Sequence, residues 1–200
     1  MKKKMWIINA FIIIAFIISL SINVQSLHKK NLSRAWLIGN IYSELKACID
    51  FLDLSIESVG NLDFESSIQY FNNARVNLER LDLIMFQFTN TCDRSLYYPG
   101  ALSFGYISQT LAYENTILTP NRAILYSVNH SGLLTNNEQE YIALLRNDLN
   151  QIVENMTDTN DTNNVNSKLT ISKVNSIFAV FYEKWSQNLD DFNPLLLLLA

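Results

Sequence analysis

Asp50, Asp53 and Glu57 are spaced by three and four residues. On a helix that spacing puts three carboxylates on one face. Such a face could hold a divalent cation or supply an acid–base pair, although a run of this kind is more often simply solvated. Asp190 and Asp191 are a weaker version of the same pattern. The two histidines, His28 and His130, are not preceded three residues earlier by Glu, so the Glu-x-x-His pairs of carboxylate di-metal bundles are missing. The sequence has no His-Glu-x-x-His, no paired-cysteine ribbon, no phosphate-binding glycine loop and no nucleophile elbow. A non-enzyme is expected, with no catalytic residue, metal or cofactor.

The cysteines, Cys48 and Cys92, invite a disulfide if the chain is exported. Geometry disfavours it. If the helices around them turn near Asn61, Cys48 faces Ala74, and Cys92 lies about 27 Å farther along. A disulfide needs Cα atoms within about 7 Å. Asn31, Asn129, Asn155 and Asn160 fit the glycosylation pattern, which matters only in a eukaryotic secretory setting.

One stretch, "DRSLYYPGALSFGY" at 93–106, concentrates aromatic rings between turn residues. Pro99, Gly100 and Gly105 mark it as a loop. Tyr97, Tyr98, Phe104 and Tyr106 could line a ligand site, since long loops often carry function. The favoured alternative is that these rings plug one end of a helical core.

The elements that must position these residues read as helices. Five Gly and three Pro in 200 residues leave few turn residues for an all-β fold. From Asn31 to Val59 the apolar positions are Leu32, Trp36, Ile38, Ile41, Leu45, Cys48, Leu52, Ile56 and Val59, with helical steps from Ile38 on. Gly60-Asn61 is the expected stop. Phe64, Ile68, Phe71, Ala74, Leu78, Leu81, Met85 and Phe88 form a second face, with Val76, Leu83 and Phe86 as a second stripe touching another neighbour. A broken helix is expected over 106–129, interrupted at Thr119-Pro120. Thr135 and Glu138 fit a capping box before Ile142, Leu145, Leu149, Ile152 and Met156. The Asn-, Asp- and Thr-rich segment 157–167 reads as a mobile linker. Ile171, Val174, Phe178, Phe181, Trp185, Leu189 and Phe192 mark the last helix, which ends at Pro194.

Charge is distributed unevenly. Six of the 15 basic residues precede position 35, and no acidic residue precedes Glu44. The rest of the chain carries the other 9 basic and all 19 acidic residues, a net of −10. Nucleic acid needs a basic footprint, so it is excluded as a partner.

The residues before this acidic body could cross a membrane. No charged side chain occurs from Met5 to Leu27, and Trp6 to Val24 would form about 28 Å of helix, close to the hydrocarbon thickness of a bilayer. Trp6, Ile7, Phe11, Ile14, Phe16, Ile18, Leu20 and Val24 are the expected transmembrane residues. A signal peptide cut after Ser26 is the alternative, but the apolar run is long for one. With no Pro or Gly between Met5 and Ile38, the span is expected to run on into the next helix.

The expected fold is all-α: an N-terminal signal-anchor at 1–30, an antiparallel up-and-down bundle of four to five helices at 31–193, and an apolar tail at 194–200. The expected partners are the bilayer, through the first helix, and another protein. The expected location is the cell membrane with the body extracytoplasmic, or secretion if the signal is cut. The architecture is similar to membrane-tethered extracytoplasmic sensor bundles, which keeps a ligand-binding role open.

Overall fold

The computed structural model describes residues 2–91, 104–112, 136–158 and 161–186. They are mostly helical. The elements are α1 (Lys2–Gly60), α2 (Phe64–Thr91), α3 (Phe104–Ala112), α4 (Asn136–Met156), the short strands β1 (Thr157–Asp158) and β2 (Asp161–Val165), and α5 (Ile171–Ser186). The chain divides into two compact units, Met1–Trp36 and Leu37–Ala200. Cys92, Tyr97, Tyr98, Thr119-Pro120, Asn129, His130, Thr135, Asn160 and everything after Ser186 lie outside the described residues.

In the first unit, α1 shows no buried stripe among the side chains described, from Ile12 on. Every large apolar side chain from Ile12 to Leu27, among them Ile14, Phe16, Ile18, Leu20 and Val24, is 53 to 67 % exposed. Leu32 and Trp36, which precede the regular spacing that starts at Ile38, are also exposed.

In the second unit, burial begins at Leu37 and follows helical spacing through Ile38, Ile41, Leu45, Cys48 and Leu52. These residues join Phe71, Ala74, Leu78, Leu81 and Met85 of α2, Ile142, Leu145, Leu149 and Ile152 of α4, and Ile171, Val174, Phe178 and Phe181 of α5 in one apolar core. Each Val, Leu, Ile, Phe or Met among them contributes about 1.5–3 kcal/mol when fully buried. The expected second stripe on α2 is different: Leu83 and Phe86 remain about half exposed. Ile56, expected on the buried face, is exposed, while Ser55 beside it is buried and Val59 packs against the core.

α1 stops where the sequence places its end, but the residue that enables the stop is not the glycine. Leu62 has φ 62°. Its N–H donates to Val59 O at 3.1 Å, and Asp63 N–H donates to Ser58 O at 2.9 Å. That pair of bonds is a Schellman motif with a leucine at the left-handed position. Asp63 then caps α2, accepting from Ser66 N–H at 3.2 Å. Across the turn, Ser67 Oγ donates to Ser55 O at 3.1 Å, and Phe51 stacks on Tyr70 at 6.3 Å. The partner numbers fall as the others rise, so these ends of α1 and α2 run in opposite directions.

The segment read as a mobile linker contains an antiparallel hairpin, with Thr157 opposite Val165 and Asp158 opposite Asp161. It is held at its base. Asn166 N–H donates to Met156 O at 2.8 Å, Thr157 Oγ1 donates to Val153 O at 2.7 Å, and the Tyr42 hydroxyl lies 3.2 Å from Thr157 Oγ1. β-branched Thr and Val suit a strand, and the tie to Tyr42 is a long-range contact that composition does not reveal. Thr170 then caps α5 through Lys173 N–H at 3.2 Å.

Candidate functional site

The residues expected to cross a membrane come first. Ile and Phe are only middling helix formers in water, but in lipid every backbone polar group must be satisfied within the segment. An unbroken helix is the form in which 23 uncharged residues can meet that demand. Among the described residues, one helix is long and apolar enough to cross a membrane, and it lies near the N-terminus. Ile14, Phe16, Ile18, Leu20 and Val24 are on it with exposed side chains. Trp6, Ile7 and Phe11 are on the same helix, of which only the backbone is described there.

The aromatic loop divides. Phe104 opens α3 and is fully buried. Its ring lies 5.7 Å from Phe178, 5.4 Å from Phe181 and 5.6 Å from Tyr182. Offset and edge contacts at such distances favour tight aromatic packing. Tyr182 continues the chain of contacts to α2, donating its hydroxyl to Met85 Sδ at 3.8 Å. Phe104 therefore fills part of the core. Tyr106 is on α3 but its side chain is outside the description.

The carboxylate face separates too. Asp53 accepts both nitrogens of an Arg146 fork, Nε at 2.7 Å and Nη2 at 2.9 Å, which ties α1 to α4. The carboxylate also raises the already high pKa of the guanidinium. Asp50 and Glu57 point to solvent. Both members of the pair are over a third exposed, so it is worth at most about 1 kcal/mol. Cys48 is a free thiol, 1 % exposed. Burial raises its pKa strongly and the nearby Glu44 charge adds to the effect. The thiol thus packs as a small apolar group.

One feature matches no sequence motif. Asp148 is buried on α4 and accepts from Lys184 Nζ at 2.6 Å and Trp185 Nε1 at 2.9 Å, both on α5. Trp185 packs in turn on Tyr141 and Phe181. The clue was legible: Asp148 sits three residues after Leu145 and four before Ile152, on an otherwise apolar stripe. Beside this clamp, α4 and α5 enclose an open groove of about 270 Å³. Its walls include Asp148, Gln151, Lys173, Ser176, Val180 and Lys184. The groove pairs amide, hydroxyl and ammonium groups with an apolar edge, and could seat a small amphipathic molecule.

The chain matches no family model, no curated protein and no solved structure.

Proposed function

We propose that the chain is a single-pass, membrane-anchored protein whose helical domain works outside the cytoplasm by binding another protein, without catalysis. The domain is read as an antiparallel up-and-down bundle. Opposed pairings support that topology: Phe51 with Tyr70, Asp53 with Arg146, and Asp148 with Lys184. The observation that carries the anchor is the all-round exposure of large apolar side chains from Ile12 to Leu27. Water would not tolerate so continuous a surface on a monomer, and hydrocarbon would.

Alkaline carbonate washing of membranes, with N-terminal sequencing of the mature chain, tests the anchor. Retention in the washed pellet with residues 1–30 intact is expected. A mature chain beginning near Leu27 and free in the medium would replace this reading with a secreted protein. Protease protection in sealed vesicles tests the sidedness. Chemical cross-linking in intact membranes should capture one stoichiometric protein partner.

The groove between α4 and α5 favours a second reading, a ligand-binding sensor without its own output module. A metabolite that raises the Tm of the full chain in a dose-dependent way would support it. That gain should vanish in Lys173→Ala.

A further inference from the structure

Past Leu27 the helix enters a different chemistry. Lys29, Lys30 and Arg34 follow within seven residues, with no acidic side chain before Glu44. Among them stand Leu32 and Trp36, 57 % and 60 % exposed. Spacing by four puts Leu32 and Trp36 on one face, and Lys29, three before Leu32, joins it. Lys30 and Arg34, also four apart, form a second ridge.

Their heights along the axis fit one layer. Lys29 and Lys30 lie about 3–4.5 Å beyond Leu27, and Leu32 about 7.5 Å beyond it. Trp36 lies about 13.5 Å beyond by its Cα, but helical side chains lean toward the N-terminus, which is toward the span. A typical tilt of about 20° shortens these heights further. The polar layer on each side of a bilayer is about 5–8 Å thick. The two lysines therefore meet the phosphates, Leu32 sits among the headgroups, and the Trp36 ring reaches their outer edge, where indole is favoured.

We propose that Lys29, Lys30 and Arg34, with Leu32 and Trp36, form a collar that binds anionic phospholipid where α1 leaves the bilayer. This rests on the reading that residues 5–27 span the membrane. The apolar pair selects the occupant: a free anion would engage the three cations and leave Leu32 and Trp36 in water. A lipid leaflet engages all five. Each basic residue near an anionic surface strengthens association about fivefold.

Spin-label depth measurements on the full chain test the collar. Cys92→Ser removes one thiol, and Cys48 is too buried to label. Labels at Ser33→Cys and, separately, Phe16→Cys are read in vesicles of phosphatidylcholine with and without phosphatidylglycerol. The label at 33 is expected within about 5–8 Å of the hydrocarbon edge, and deeper when phosphatidylglycerol is present. Lys29→Gln/Lys30→Gln/Arg34→Gln should abolish that lipid dependence. Leu32→Ser/Trp36→Ser should move the label into water. A label at 33 that is fully water-accessible and indifferent to phosphatidylglycerol, while the label at 16 stays in hydrocarbon, overturns the collar and leaves the anchor standing. Water accessibility at 16 as well overturns the anchor, and the collar falls with it.

Discussion

Two parts of α1 share a backbone conformation and much of their composition, and differ in what surrounds them. Ile12 to Trp36 exposes apolar side chains on every face. Leu37 to Leu52 buries one face, through Ile41, Leu45, Cys48 and Leu52, and leaves Asp50 and Glu44 near solvent. A helix made for hydrocarbon needs no periodicity, whereas one packed on protein must sort its residues by angle. Helix propensity does not distinguish the two parts. The pattern of exposure does.

Charging the apolar part should give the largest effect. Ile14→Lys with Ile17→Lys places two ammonium groups near the centre of the span, each costing about 2.5–3.5 kcal/mol for insertion. The variant should leave the carbonate-washed pellet, or fail to insert. Unchanged retention would mean that residues 12–27 are not held in lipid. Next in size is a matched pair of truncations. Leu45→Ala should destabilise the domain by about 2–5 kcal/mol, because Leu45 is fully buried. Leu20→Ala should leave urea unfolding of the domain unchanged in the same detergent. Equal effects would erase the distinction between the two parts of α1.

Much of this was legible in the residues. Three- and four-residue spacing marks Ile41, Leu45, Cys48, Leu52, Phe71, Ala74, Leu78 and Leu81 as core, and the run without charges marks the one described helix long and apolar enough to cross a membrane. The regular steps begin at Ile38, and burial begins one residue earlier, at Leu37, while Leu32 and Trp36, which precede the regular spacing, are exposed. Leu83 and Phe86, expected to touch a second neighbour, are about half exposed. The hairpin at 157–165 was hidden because its stabilising contact, Tyr42 with Thr157, spans 115 positions. Phe104 packs against Phe178, Phe181 and Tyr182 in the core, a set of contacts that the turn residues around it do not reveal. Asp148 escaped because a lone carboxylate on an apolar stripe resembles no motif, although its position required a buried donor.

The same comparison can be sharpened where α1 does and does not end. At Trp36–Leu37 the surroundings change with no cap, while at 60–63 the helix stops on two local devices. One is strained. Leu62 holds φ 62° with its side chain 67 % exposed, so Leu62→Gly removes a steric cost and sacrifices little packing. A gain of about 0.5–1 kcal/mol is expected, reduced from the full left-handed penalty by glycine's greater freedom when unfolded. A loss in denaturant unfolding would mean that Leu62 packs in solution.

The smallest effect lies at the other device. The Ser66 side chain, and after it the Ser66 N–H that caps onto Asp63, lower the pKa of its carboxyl below the ordinary carboxylate value. The sign follows from that direction. A carboxyl with a depressed pKa when folded adds stability above its unfolded pKa of about 3.9, and the contribution fades as pH falls through the folded value. Asp63→Asn keeps an N-cap acceptor and removes the titration. The variant's Tm should therefore fall slightly below that of the parent at pH 7, and the two should converge as the pH drops below about 4. A gap that persists at low pH would assign the difference to cap geometry instead of charge. It would then be a packing effect of the turn, on the same footing as Leu62 and independent of ionisation.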